Sequence, residues 1–199
     1  MVKKSAKLFV EDVERVTGKR LKAKEKISSD RNIVLVGTIG KNRYIDQLVA
    51  RNKLDISQIK HGWEQYVITI VNNPFAGVEK ALVIAGCDRR GTSYGLFSIS
   101  ETIGVSPWYW WADAPVIKKK NLCLQVSPIV SKAPSIKYRG IFINDEDWGL
   151  KPWASKTFEP ETGDIGPKTY AKICELLLRL KANYLCPAMH SCTTVSYTH

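Results

Sequence analysis

Three consecutive acidic residues at positions 145–147 carry the clearest chemical signal in the sequence. They follow the short apolar run of residues 140–143, which predicts a buried strand. The carboxyl ends of strands are where α/β sheets and barrels hold their reactive groups. The sequence therefore predicts an active-site wall here, with Asn144 before the acids and Trp148 after them.

An amphipathic helix and a second strand follow the acidic residues. Gly166 and Pro167 are typical of an N-cap and a first helical residue, and apolar side chains then recur at helical spacing: Tyr170, Ile173, Leu176, Leu177 and Leu180. Residues 184–189 predict a short strand that leads to His190. Parallel strands need cover on both faces. We therefore interpret residues 135–199 as the first β-α-β of an incomplete (β/α)8 TIM barrel, with the apolar face of its helix exposed.

Residues 1–126 predict a separate amino-terminal domain of mixed α/β, sandwich-like architecture. Helical periodicity begins at residue 2 and ends at Gly18. Further helices are predicted at residues 43–52 and 93–103, the second capped by Thr92, and strands at residues 32–36, 63–71, 81–85 and 116–126. Residues 127–134, which contain two X-Pro pairs, predict a linker between the two domains.

Basic residues are in excess, and the 199-residue chain has a formal net charge of +11. Nine Lys or Arg and four acidic residues lie within residues 1–26, and residues 118–120 are all Lys. Such runs either contact nucleic acid or anionic polysaccharide, or are solvated surface charge. No zinc-finger, recognition-helix or RNA-binding motif is present, so we expect no nucleic acid as a partner.

The five cysteines form no C-x-x-C pair, which indicates buried free thiols rather than disulfides or a metal site. No apolar run approaches the length of a membrane span, and no apolar segment follows the basic amino terminus. We therefore expect no metal, no cofactor, no membrane partner and no export signal in the chain as written.

Two other motifs have more than one interpretation. The glycine-containing turn at residues 86–91 joins a strand to a helix but fits neither phosphate-binding fingerprint, which favours a tight turn over a phosphate site. Residues 108–111 place four aromatic rings at consecutive positions. Because consecutive side chains diverge, some rings should pack within the domain, and others should meet a second domain or a sugar ring.

Three long strings resemble glycoside hydrolase family 115, the xylan α-1,2-glucuronidases. They are Asp-Arg-Arg-Gly-Thr-Ser-Tyr-Gly at 88–95, Ser-Pro-Trp-Tyr-Trp-Trp-Ala-Asp at 106–113 and Ile-Asn-Asp-Glu-Asp-Trp-Gly-Leu-Lys-Pro-Trp-Ala at 143–154. Shorter strings at 157–161 and 187–190 extend the resemblance over nearly the whole chain. The resemblance implies an amino-terminal α/β domain and a catalytic barrel, of which this chain holds the first domain and the opening of the barrel.

The resemblance also implies removal of (4-O-methyl)glucuronic acid from xylan by an inverting mechanism. Inversion needs one carboxylic acid and one carboxylate about 6.5–9.5 Å apart on opposite sides of the scissile bond. Adjacent residues at a strand end point in different directions, so the cluster supplies one side of that arrangement. We therefore expect this chain alone to be inactive. The alternative is a carbohydrate-binding or interaction module without catalysis.

The residues carry separate expectations within that framework. Glu146 is the first catalytic candidate, as a water-activating base or a ligand of a sugar hydroxyl, and Asp145 is the second. The substrate-binding candidates offer hydrogen bonds, charge or a stacking ring: Asn144, Asp147, Trp148 and His190. The expected partner is glucuronoxylan or a related polysaccharide, met outside the cytoplasm, in the periplasm or after secretion, as expected for the parent family. Exposed barrel surface predicts self-association.

Overall fold

The structure is a computed structural model that describes residues 1–27, 30–146 and 148–188. The chain divides into two compact units, Met1–Ser135 and Ile136–His199. The boundary falls just after the predicted linker, within one residue of the predicted start of the barrel.

The first unit is a mixed α/β unit built on a four-stranded sheet. Its elements are α1 (Val2–Thr17), β1 (Asn32–Thr38), α2 (Arg43–Ala50), β2 (Tyr66–Phe75), β3 (Val78–Gly86), α3 (Arg89–Ile103) and β4 (Ile129–Val130). The strand order is β1-β3-β2-β4. β1 is parallel to β3, whereas β2 is antiparallel to both β3 and β4. The predicted mixed α/β class is confirmed for this unit.

Helices cover both faces of this sheet. On one face, α2 and the segment after it bury their apolar side chains against alternate residues of the strands: Ile45, Leu48, Leu54, Ile56 and Ile59 pack with Leu35, Val67, Val83 and Ala85. On the other face α3 lies close to the strands at Gly95. A Cβ built on Gly95 would come within 2.8 Å of the Ile84 side chain. A larger residue at position 95 would push the helix off the sheet.

α1 packs on α3 rather than on the sheet. Its apolar stripe is buried, and the hydroxyl of Ser5 donates a hydrogen bond to that of Ser93 at 2.9 Å. The carboxyl ends of the two helices meet at Lys119, whose backbone N donates to the Val16 carbonyl at 2.7 Å and whose Nζ donates to the Ile103 carbonyl at 3.0 Å. The helix predicted from residue 2 to Gly18 is confirmed, and Gly18 has a left-handed φ of 70°.

Two local predictions for this unit are wrong. The predicted strand at 116–126 is absent from the described sheet, and the fourth strand comes instead from Ile129–Val130 within the predicted linker. Ser131 fixes that strand, since its hydroxyl accepts a hydrogen bond from the Tyr66 N at 2.8 Å. The helix predicted from residue 93 begins at Arg89, and Asp88 caps it in place of Thr92.

The second unit has the predicted β-α-β order, with additional turns. It contains β5 (Gly140–Phe142), α4 (Leu150–Trp153), a π-helical turn (Ala154–Phe158), a 3₁₀ turn (Pro160–Thr162), α5 (Pro167–Arg179) and β6 (Tyr184–Cys186). β5 and β6 are paired in parallel. Gly166 is the N-cap of α5, as predicted. After the helix, Lys181 adopts a left-handed backbone conformation with a φ of 57°.

The apolar face of α5 is buried, contrary to prediction. Ile173, Leu176 and Leu177 are 2%, 6% and 6% exposed, and only Leu180 of the predicted stripe is accessible. The turns between β5 and α5 supply further buried residues, including Ala154 and Ile165. Exposed apolar surface lies instead on the strands, where Phe142 is 55% exposed.

The cysteine prediction is right in bonding state and wrong in part on burial. The four cysteines within the described residues are free thiols. Cys174 is exposed on α5 and not buried, because it faces away from the apolar stripe. Burial raises the pKa of the Cys87 thiol above its ordinary value, and the nearby negative charge of Asp88 acts in the same direction.

Candidate functional site

The predicted acidic wall directly follows β5. Ile143 extends the pairing beyond the strand, since its backbone N donates to the Cys186 carbonyl at 2.9 Å, and its side chain is buried. Burial then alternates along the chain, with Asn144 exposed, Asp145 only 6% exposed and Glu146 exposed. The two catalytic candidates therefore differ sharply in their access to solvent.

Glu146 and Trp148 are joined by a direct contact. The indole Nε1 of Trp148 donates a hydrogen bond to a carboxylate oxygen of Glu146 at 2.7 Å. The tryptophan is 73% exposed, so its ring faces stay accessible while its N–H edge is held. An accessible indole face beside an oriented carboxylate is suited to a sugar ring, which offers C–H groups for stacking and hydroxyls for hydrogen bonding.

A depression of about 240 Å³ surrounds this pair. Its lining combines apolar, amide, carboxylate and indole groups: Phe142, Ile143, Asn144, Glu146, Trp148, Gly149 and Leu150. Three of the predicted site residues thus line one surface. Asp145 is not among the lining residues, and Asp147 and His190 lie outside the described residues.

Glu159 is a buried carboxylate that the sequence interpretation did not single out. It is 1% exposed and accepts hydrogen bonds from the backbone N atoms of Lys168 and Thr169, both at 3.0 Å. These are orphan donors in the first turn of α5, where a negative charge is stabilised by the helix dipole. A Cβ at Gly166 would lie 2.5 Å from the Glu159 carboxyl carbon, so a larger residue there would have to displace the capping side chain.

The position of Glu159 explains why it was missed. It precedes the N-cap Gly166 by a turn and a bend, whereas the familiar capping pattern places the partner glutamate three residues after the cap. Glu159 also belongs to the string 157–161 that carried part of the family resemblance. Its described contacts give it a structural role.

A polar clasp sets the two strands of this unit side by side. Arg139 donates through Nε and Nη2 to the Lys181 carbonyl at 3.1 and 2.8 Å. Asn183 accepts the backbone N–H of Arg139 at 3.0 Å and donates to the Lys137 carbonyl at 2.7 Å. These bonds join the start of β5 to the start of β6, and so fix where the acidic wall begins.

The turn at residues 86–91 contains its own anion. One carboxylate oxygen of Asp88 accepts the Gly91 N–H at 2.7 Å and the other accepts the Glu64 N–H at 2.8 Å. Arg90 forms an ion pair with the buried Glu64 at 2.6 Å. The Asp88 carboxylate already accepts a first-turn N–H group of α3, where a bound phosphate would lie. These contacts favour a tight turn over a phosphate site.

The consecutive aromatic rings diverge, as predicted. Trp108 is 45% exposed, Tyr109 lies under the guanidinium of Arg15 at 4.6 Å, and Trp110 contacts Trp111 edge to face at 4.9 Å. One ring of the four is thus accessible within the first unit, while the next is held against α1.

No group of three or more His, Cys, Asp or Glu side chains within the described part of the chain is arranged to hold a metal ion. Among the described helices, none is long and apolar enough to cross a membrane.

The fold is that of a mixed α/β protein in which the end of β5 places a carboxylate and an indole on one surface. Comparison with known families narrows this class of protein further. Residues 131–198 match the model of glycosyl hydrolase family 115. That segment of the chain carries the sequence pattern of the family.

A solved structure is similar over most of the chain. It is described as a novel family GH115 4-O-methyl-alpha-glucuronidase, BtGH115A, with specificity for decorated arabinogalactans. The sequences are 40% identical, the TM-score is 0.80, and the match covers 95% of this chain. The chain spans 23% of the length of that structure. A search of curated proteins found no match.

Proposed function

We propose that this chain forms part of an α-glucuronidase that removes (4-O-methyl)glucuronic acid from xylan or a related decorated polysaccharide. The exposed Glu146 carboxylate, held by the Trp148 indole at the end of β5, is the observation that carries the proposal. The 4-O-methyl-alpha-glucuronidase similar to this chain supports the choice of sugar.

In this proposal the depression at residues 142–150 receives the uronic acid. Glu146 acts as the water-activating base or binds a sugar hydroxyl, and Trp148 stacks on the pyranose face. Asn144 binds a hydroxyl. Asp145 is buried, and so would have to act by supporting the exposed carboxylate. The substrate-binding roles of Asp147 and His190 stay predictions.

Inverting hydrolysis also needs an acid across the sugar ring, about 6.5–9.5 Å from the base. We propose that this acid, and the remaining strands of a (β/α)8 barrel, are not supplied by the 199 residues. The parallel pairing of β5 with β6 supports this placement, because βαβ units are the repeating element of such barrels. The isolated chain should then bind glucuronate weakly and release none.

Binding to the full chain tests the role of Glu146 directly. The probe is a xylo-oligosaccharide carrying one 4-O-methylglucuronate, titrated while the indole N–H resonance of Trp148 is followed by NMR. We expect that resonance to move, because its acceptor is the proposed sugar ligand. Glu146→Gln should weaken binding about tenfold, which is the loss expected for one hydrogen bond to a charged group.

Glu161→Gln is the matched control, since Glu161 is an exposed acid of the same unit that pairs with Lys168. It should bind like the parent chain. If the chemical shift of the Trp148 indole N–H does not change as the oligosaccharide is added, the proposed site is wrong. Measurable release of 4-O-methylglucuronic acid by the chain would overturn the proposal that the second carboxylate lies outside it.

A further inference from the structure

The carboxyl ends of α1 and α3 form a basic surface on the first unit, far in sequence from the acidic wall. Lys119 bridges the two helix ends through its bonds to Val16 and Ile103. It thereby places the Lys118–Lys120 run next to the residues that follow α1. We call this surface the basic end: Lys19, Arg20, Lys118, Lys119 and Lys120.

Interaction with the carboxyl ends of the helices accounts for only some of these basic side chains. Lys119 binds a terminal carbonyl of α3, as cations commonly do at helix carboxyl ends. Arg20 is paired with Glu14. Within the described residues, the amines of Lys19, Lys118 and Lys120 have no acidic partner, and all three residues are exposed. The surface therefore carries lysine amines that no acidic side chain within the described residues neutralises.

An accessible aromatic ring lies at the same end of the unit. Trp108 follows the last turn of α3, and its backbone N donates to the Ser106 hydroxyl at 3.1 Å. The next ring, Tyr109, is fixed against α1 by Arg15. Trp108 itself is 45% exposed. Unpaired amines and an exposed indole together match an acidic sugar polymer, which offers carboxylates to the first and pyranose faces to the second.

We propose that the basic end binds polysaccharide chains that carry glucuronate, and holds them independently of the acidic wall. The inference rests on the proposed function in one respect, since it takes the same uronate-bearing polymer as the ligand. Single exposed ion pairs are weak and screened by salt. Binding should therefore require several uronates on one polymer and should fall as ionic strength rises.

Affinity electrophoresis of the full chain in gels containing glucuronoxylan tests the proposal. We expect retardation at low salt and its loss in glucuronoxylan whose carboxylates have been reduced to alcohols. Lys118→Ser with Lys120→Ser should weaken the apparent affinity about fivefold, the range expected for two exposed ion pairs. Trp108→Ala should weaken it without changing the salt dependence.

Lys41→Ser with Lys60→Ser makes the same change of charge at two exposed positions elsewhere on the first unit. This control should migrate like the parent chain. Equal retardation of the Lys118/Lys120 variant and this control would overturn the proposal. If the parent chain binds a single-stranded DNA oligonucleotide as tightly as glucuronoxylan at the same salt concentration, the surface binds polyanions in general. That result would overturn the assignment to polysaccharide.

Glu146→Gln separates the two proposals. It should weaken the oligosaccharide titration, whereas the salt-sensitive part of the retardation in glucuronoxylan should persist. Loss of both signals in Glu146→Gln would show that the acidic wall, and not the basic end, holds the polymer.

Discussion

The two units bury their sheets to very different extents. In the first unit four strands lie between α2 on one face and α3 on the other, and central strand residues such as Ile68 and Ile84 are fully buried. In the second unit two short strands are paired, and all three residues of β5 are exposed. The difference shows that one unit closes its own core, whereas the other presents strand surface of the kind that a larger sheet would cover.

The units also differ in the interactions that hold them. The first has an apolar core that packs across its sheet. In the second, polar contacts hold the helix and the strands, with Glu159 capping α5 and Arg139 joining the starts of β5 and β6. A core substitution in the first unit therefore tests apolar burial, whereas a substitution of Glu159 tests backbone hydrogen bonding in the second.

Leu48→Ala should have the largest effect and should act on the first unit. Leu48 is fully buried in the core beside α2, so truncation removes apolar contacts and leaves a cavity. We expect about 3 kcal/mol of destabilisation. Hydrogen exchange of the β3 amides measures it, with exposed Gln47→Ala in the same helix as the control. Unchanged β3 protection in Leu48→Ala would contradict the described core.

Glu159→Ala should have the next largest effect and should act on α5. The substitution leaves the N–H groups of Lys168 and Thr169 without their acceptor in a buried setting. We expect a loss of about 2 kcal/mol, as for a strong helix cap. The readout is hydrogen exchange of the α5 amides.

Glu161→Ala is the control for that measurement, because Glu161 is a nearby exposed acid in an ion pair with Lys168. Exposed pairs contribute little, so its effect should stay under about 1 kcal/mol. Equal loss of α5 protection in the two variants would contradict the role of Glu159 as the cap of α5. It would also contradict the proposed difference between the two units.

Phe142→Ser should have the smallest effect on folding and should reduce self-association. Phe142 is 55% exposed on β5, where a row of strand residues is available to another copy of the chain. Light scattering at increasing protein concentration measures the change. Ile117→Ser, at a 75% exposed position in the first unit, is the matched control. If only Ile117→Ser reduces association, the strands of the second unit are not the contact surface.

Periodicity in the sequence predicts α1, α2 and α5 and the order of strands and helix in the second unit, but not the start of α3 or the short helix α4. The α1 stripe and its Gly18 end are confirmed, as is the strand-helix-strand order after residue 139. Residues 121–127 show the limit of such patterns. Their burial alternates as a strand's would, yet within the described residues they pair with no other strand. Alternation reports the environment of side chains, whereas a strand also needs a backbone partner.

The sequence predicts that the acidic residues follow a strand, but it does not predict which of them are exposed to solvent. The apolar run followed by three acidic residues predicts the end of a strand. The exposure of each acidic side chain depends on tertiary packing, which buries Asp145 and leaves Glu146 exposed. Glu159 was beyond sequence reasoning for a related reason. Its partners are backbone N–H groups brought to it by the fold, and no spacing rule marks them.

The clasp at Arg139 has a consequence for how the second unit tolerates change. By tying residues 137–139 to residues 181–183, it closes the intervening chain into a ring whose ends are already paired. Lengthening such a ring is inexpensive, since each doubling costs only about 0.6 kcal/mol of closure entropy. The exposed turn at Gly149, which lines the depression, is therefore where this scaffold can accept an inserted loop, and with it new contacts to a ligand, while its two strands keep their register.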